Sequence, residues 1–127
     1  MSGKDYPKRS LSSDNYKTDK WILEIFDGWF DPCPFNPEWV EDGLSIDWPD
    51  RTFINPPYSK PLPWIKKAIA TNKIYNHSIA LLLKHDSSTE WFRLLHAAGA
   101  HFLLVNGRLK HQTSNGAAFP SVIAFLH

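Results

Sequence analysis

The sequence predicts an α/β fold: a single sheet, mostly parallel with an antiparallel last strand, covered by helices. Three observations carry this. Between residues 52 and 106, short apolar runs alternate with amphipathic segments in the order strand, helix, strand, helix, strand, an alternation that packs as a parallel sheet with helical crossovers. The run "SIALLLK" at 78–84 is almost continuously apolar, as expected of a strand buried on both faces. At 127 residues the chain has single-domain length, enough to bury roughly two thirds of its unfolded surface.

The elements follow in order. Residues 1–15, "MSGKDYPKRSLSSDN", are polar and aperiodic, so they read as a flexible arm ahead of a domain at 16–127. Thr18 is placed to cap a short helix with Trp21, Ile22, Ile25 and Phe26 at helical spacing, Asp19 in its first turn and Gly28 just past its end. "GWFDPCPFNP" gives a very short strand ending at Asp31, then a proline-punctuated loop that can be neither helix nor central strand. Turn signals at Asp42-Gly43 and Trp48-Pro49 flank a short strand expected at 44–46. "TFIN" is a strand cut off by Pro56. Residues 61–73 set Ile65, Ala68 and Ile69 opposite Lys66 and Lys67, an amphipathic helix with proline near its start. A second helix spans 88–98, with Glu90 and Trp91 opening it and Gly99 closing it. Strands at 100–106 and 121–127 are separated by a polar loop at 107–120.

Composition excludes several classes. A net charge of +1 gives no bulk attraction for nucleic acid or anionic membrane, so any such surface must be local. Aromatic residues reach 14% with six Trp, a surplus of flat faces. Cys33 is the sole cysteine, which rules out an intrachain disulfide framework or multi-cysteine zinc site and fits a reducing compartment. No apolar run has membrane-spanning length and the N-terminus lacks a signal-peptide pattern, so a soluble intracellular protein is expected. The six histidines show no HxxH pairing, and no metal is predicted.

In open α/β sheets the working site lies at the carboxyl ends of the strands. Three polar features fall there: Asp31 with its proline loop, Asn55-Pro56-Pro57-Tyr58, and Lys84-His85-Asp86. Two successive prolines fix two φ angles and remove two N–H donors, leaving a stiff surface of carbonyl acceptors. Asn55 adds a side-chain acceptor and Tyr58 a face for stacking. Acceptors beside an aromatic face suit a planar amine. Drawing on both amine hydrogens frees the nitrogen lone pair to attack an electrophile, with no side-chain nucleophile. His85 beside Asp86 reads as a positioning or surface pair rather than an acid/base pair.

"NPPY" after a short apolar strand resembles the catalytic motif of S-adenosylmethionine-dependent amino-methyltransferases. "YKT" at 16–18, "DPCPFNP" at 31–37, "DGLSIDW" at 42–48, "FINPPYS" with "WIKKA" after it, "TEWF" at 89–92, "GR" at 107–108 and "FPSVIAF" at 119–125 are similar, in the same order, to the phage-type DNA N6-adenine methyltransferases. The resemblance covers nearly everything from Tyr16 onward. It implies a minimal Rossmann-like class I methyltransferase sandwich using S-adenosylmethionine, with DNA as partner, monomeric or homodimeric, in the cytoplasm of a prokaryotic or virus-infected cell. By the same resemblance Tyr16, Thr18 and the loop of Asp31, Pro32 and Cys33 hold the cofactor, and Asp47 or Trp48 is a candidate for its ribose or adenine, with the core as the other reading of Trp48. Asn55, Pro56, Pro57 and Tyr58 are the catalytic motif that holds the target adenine. Ser59, Lys60 and Arg108 are candidates for contact with the substrate. One departure stands out: many methyltransferases carry a glycine-rich loop after the first strand, and this chain has prolines. The motif leaves open cytosine N4, RNA or a protein amide as acceptor, and a non-catalytic nucleic-acid-binding module is the contrasting reading.

Overall fold

The computed structural model describes residues 19–34, 42–57, 59–84, 86, 89–110 and 118–127, with backbone only at 105–110 and 118–120. Its element order is α1 (Lys20–Ile25), β1 (Thr52–Ile54), α2 (Leu62–Tyr75), β2 (Ile79–Lys84), α3 (Glu90–Ala97), β3 (His101–Lys110) and β4 (Ala118–Leu126). The expected flexible arm, Tyr16, Thr18, Tyr58 and His85 lie outside the described residues.

The strands form one sheet in the order β1-β2-β4-β3. β1 and β2 are parallel, while β4 is antiparallel to both β2 and β3. The α/β class and the antiparallel last strand are therefore present, but the sheet is mixed rather than mostly parallel in its pairings. The reason is the place of β4, which inserts between β2 and β3 and gives each an antiparallel neighbour. Phe30 adds an isolated parallel bridge to Thr52 on the outer side of β1.

β2 explains why the sheet is layered on both sides. Ile79, Leu81 and Leu83 join Ile54, Val122, Ala124 and Leu126 against Trp64, Ile65 and Ala68 of α2 and Trp91 and Leu95 of α3. The alternate residues Ala80 and Leu82 join Phe53 and Ile123 against Ile22 and Phe26, with Phe26 stacked on Phe53 at 4.6 Å. Side chains of a strand alternate between faces, so only a strand sandwiched between layers reads as continuous apolar sequence.

Three expectations shift. α1 begins after Asp19, which takes the N-cap position without a side-chain capping bond, so the helix starts later than a Thr18 cap implies. Residues 43–45 form a turn rather than a strand, because the Asp42 carboxylate accepts the Leu44 N–H at 3.0 Å and the Asp42 carbonyl accepts from both Ser45 N–H and Ser45 Oγ. The polar stretch after residue 106 continues as strand on both sides of 111–117, with Arg108 paired to Pro120 and Lys110 to Ala118. Main-chain pairing, indifferent to side-chain polarity, sets these ends.

Candidate active site

Strand direction assembles the site. Phe30 donates its N–H to the Arg51 carbonyl and accepts from Phe53 N–H, both at 2.9 Å, so Asp31 leaves the sheet beside the end of β1, where Asn55 follows Ile54. β2 ends next door at Lys84, which pairs with Ser121. β3 and β4 stay paired past this end, as far as Lys110 and Ala118. Asp31, Asn55, Lys84 and Asp86 are thus neighbours along one edge.

Within that edge, backbone chemistry fixes each group. The Asp31 Oδ1 accepts the Cys33 N–H at 2.9 Å, an Asx turn that locks the carboxylate over the proline loop. Pro32 inside that turn is buried, and Asp31 and Cys33 are half-buried. Asn55 is 1% exposed; it is engaged by neighbours, while its carboxamide oxygen Oδ1 accepts no hydrogen bond among the described residues. Pro56 is buried and Pro57 half-buried. The Pro57 carbonyl accepts the Lys60 N–H at 3.3 Å, turning the chain into α2. A carboxylate, a buried carboxamide and two consecutive residues without N–H make an acceptor-rich edge suited to a cation and an amine.

The other predicted residues fall differently. Ser59 and Lys60 are exposed at the entry to α2. Asp47 is exposed, whereas Trp48 is only 2% exposed, stacks on Trp64 with centroids 6.0 Å apart, and donates its indole N–H to the Gly43 carbonyl at 2.8 Å. The structure therefore sets Trp48 in the core. Arg108 lies in β3 rather than in a loop.

Two features were not visible in the sequence. A cleft of about 140 Å³ opens between the starts of α2 and α3, lined by Pro61, Leu83, Lys84, Asp86, Thr89 and Trp91. Thr89 caps α3 there, accepting the Phe92 N–H at 3.3 Å and donating to the Asp86 carbonyl at 2.8 Å. Lys67, expected on a wet helix face, instead donates to the Leu44 carbonyl at 3.0 Å and lies 5.4 Å above the Trp48 ring. The Thr-x-x-Phe spacing signals the cap; nothing local signals the reach of Lys67 across 23 residues. A larger apolar groove, about 440 Å³, lies between α1 and the β3–β4 pair, lined among the described residues by apolar and aromatic side chains and His101. That groove holds none of the acceptors. Among the described residues no cluster of His, Cys, Asp or Glu is arranged for a metal, and no helix is long and apolar enough to cross a membrane.

Comparison with known proteins places the chain in a lineage. The family model described as DNA N-6-adenine-methyltransferase (Dam) matches residues 12–121. A DNA N-6-adenine-methyltransferase of Haemophilus phage HP1 (strain HP1c1) is 42% identical over 53 residues, which are 41% of this chain and 31% of that relative. The matched stretch thus spans less than a third of the relative's length. No solved structure matches the chain. The family match runs through Asp31, Asn55 and Thr89 alike, and the chain belongs to the DNA N-6-adenine-methyltransferase (Dam) family.

Proposed function

We propose that the protein transfers a methyl group from S-adenosylmethionine to the exocyclic N6 amine of an adenine in DNA, on the acceptor edge at the carboxyl end of β1. The observation that carries this reading is the family match over residues 12–121 together with Asn55-Pro56-Pro57 standing at the end of β1 beside Asp31. In this reading the mixed sheet is a reduced Rossmann-like class I methyltransferase sandwich: β1, β2 and β3 run in one direction and β4 alone is reversed.

The donor set fits the cofactor. S-adenosylmethionine, when bound, supplies an electrophilic methyl on a positively charged sulfur. A carboxylate near such a cation is stabilising, and Asp31 in its Asx turn offers one on a fixed backbone. Tyr16, Thr18, Pro32 and Cys33 complete the cofactor's surroundings in this reading, with Asp47 at its margin.

Asn55 Oδ1 and the Pro56 carbonyl accept the two hydrogens of the adenine amine, which turns the nitrogen lone pair toward the methyl group. Tyr58 stacks on the base. Pro56 and Pro57 keep the acceptors from relaxing, so little reorganisation is needed at the moment of reaction; alignment accounts for most of the acceleration. As the nitrogen–carbon bond forms, the carbon–sulfur bond would break and the sulfur leave as a neutral thioether; the methylated nitrogen, then positively charged, gives one of its two protons to solvent past the same acceptors. A base inside a duplex cannot reach this edge, so the target is flipped out or already unpaired. Ser59, Lys60 and Arg108 contact the strand that carries it.

Incubation of DNA with the protein and methyl-labelled cofactor, followed by nucleoside mass spectrometry, tests the proposal. Label in N6-methyladenine is expected. Label in N4-methylcytosine, in RNA alone or in protein alone would reassign the acceptor.

A further inference from the structure

The turn at 42–46 touches the Asp31 loop through bare backbone, and the contact occurs at a glycine. Gly43 is buried, and a Cβ added there would fall on the Pro32 carbonyl oxygen and lie 2.9 Å from both the Pro32 carbonyl carbon and Trp64 Cη2. Its φ is not in the left-handed region, where Gly28 and Gly99 are the glycines among the described residues. The requirement at Gly43 is therefore space, not backbone conformation.

The turn at 42–46 is held firmly on its own side of the contact. The turn is tied to α2 and the core on three sides: Lys67 Nζ donates to Leu44 O at 3.0 Å, Trp48 Nε1 donates to Gly43 O at 2.8 Å, and the Trp48 ring stacks on Trp64. Pro32 stands in the middle of the Asx turn, Cys33 N–H to Asp31 Oδ1 at 2.9 Å, that carries the Asp31 carboxylate. A methyl group at position 43 therefore moves Pro32 and, with it, the Asp31 carboxylate.

We infer that Gly43 is a positioning residue for cofactor binding, the backstop that sets where the Asp31 turn stands relative to Asn55. The inference rests on the proposed role of Asp31, Pro32 and Cys33 toward S-adenosylmethionine. It adds a residue that touches neither cofactor nor base.

The test compares S-adenosylmethionine affinity, by calorimetry, for the wild type, Gly43→Ala, Asp31→Ala and Asp50→Ala. Asp50→Ala is the control for destabilisation, since Asp50 acts at the opposite end of the sheet. Gly43→Ala is expected to weaken S-adenosylmethionine binding about tenfold while DNA affinity stays within twofold, and Asp50→Ala to lower the melting temperature without weakening the cofactor. Wild-type cofactor affinity in folded Gly43→Ala, or equal loss in Asp50→Ala, overturns the inference. Unchanged affinity in Asp31→Ala overturns instead the reading on which it rests. Should Gly43→Ala not fold, amide spectra of the ¹⁵N-labelled wild type decide. Addition of S-adenosylmethionine is expected to shift Gly43 and Leu44 together with Asp31 and Cys33. Shifts at Asp31 and Cys33 with Gly43 and Leu44 still would overturn the inference, and no shift at either pair would overturn the parent reading.

Discussion

The two ends of the sheet treat their polar groups in opposite ways. At the amino end, where β1 and β2 begin, they are spent on one another: Ser78 N–H donates to Asp50 Oδ1 at 2.7 Å, Arg51 and Thr52 N–H both donate to Ser78 O, Thr52 Oγ1 donates to Pro49 O, and His77 Nδ1 donates to Trp48 O. At the carboxyl end the polar side chains Asp31, Asn55, Lys84 and Asp86 collect around prolines that have no N–H to give. One end closes the fold and the other gathers acceptors where prolines supply no donors. The contrast makes stability and activity separable by site.

The largest effect expected is structural. Trp48→Ala removes the ring stacked on Trp64 and the indole donor to Gly43, and is expected to cost about 3–5 kcal/mol in thermal or denaturant unfolding. Trp48→Phe keeps a ring there and should retain most of that; although the bond to Gly43 is lost, Lys67 still holds the turn at Leu44, so cofactor affinity is expected near the wild-type value. Loss of cofactor affinity in folded Trp48→Phe would move this residue from the core account to the site.

Next comes Asp31→Ala at the opposite end. Losing one charge-assisted contact is worth about 1.5–3 kcal/mol, which is about 10- to 100-fold in S-adenosylmethionine affinity, while the melting temperature changes little. A large loss of stability with unchanged affinity would make Asp31 part of the frame instead.

Thr89→Ala removes the α3 cap and is expected to cost about 1 kcal/mol; Thr89→Ser should restore it. The smallest effect concerns pH. The Ser78 N–H bond, more than the nearby Arg51 and His77 charges, holds the Asp50 carboxyl below the ordinary carboxylate range. A depressed folded-state value means that this contribution is present above the unfolded value and lost as pH falls through the folded one, so it fades from about pH 4 downward. Asp50→Asn should flatten the acid limb of melting temperature against pH and leave methyl transfer at neutral pH unaltered.

What the sequence disclosed follows from how each signal is encoded. β2 was legible because burial on both faces writes itself as an unbroken apolar run, and α2 because Ile65 and Ala68 recur at helical spacing. Asn55, Pro56 and Pro57 were legible because prolines restrict the backbone wherever they stand. The ends of β3 and β4 were not, since pairing of Arg108 with Pro120 depends on main-chain registry across the hairpin. Trp48 was open to two readings in the sequence, cofactor contact or core, and its burial and stack on Trp64, 16 residues along the sequence, favour the core. Gly43 read as half of an Asp-Gly turn, and the demand for bare backbone comes from Pro32, which approaches only in three dimensions.

The central claim is that the acceptor edge at the end of β1 carries out methyl transfer to adenine N6. Quantitative nucleoside mass spectrometry of DNA treated with the wild type and with Asn55→Ala, with S-adenosylmethionine binding measured on the same samples, tests it most directly. The account predicts N6-methyladenine from the wild type and about a 10²- to 10³-fold slower rate from Asn55→Ala, with cofactor binding retained. Undiminished N6-methyladenine from Asn55→Ala, or none from a wild type that binds the cofactor and DNA, would contradict it.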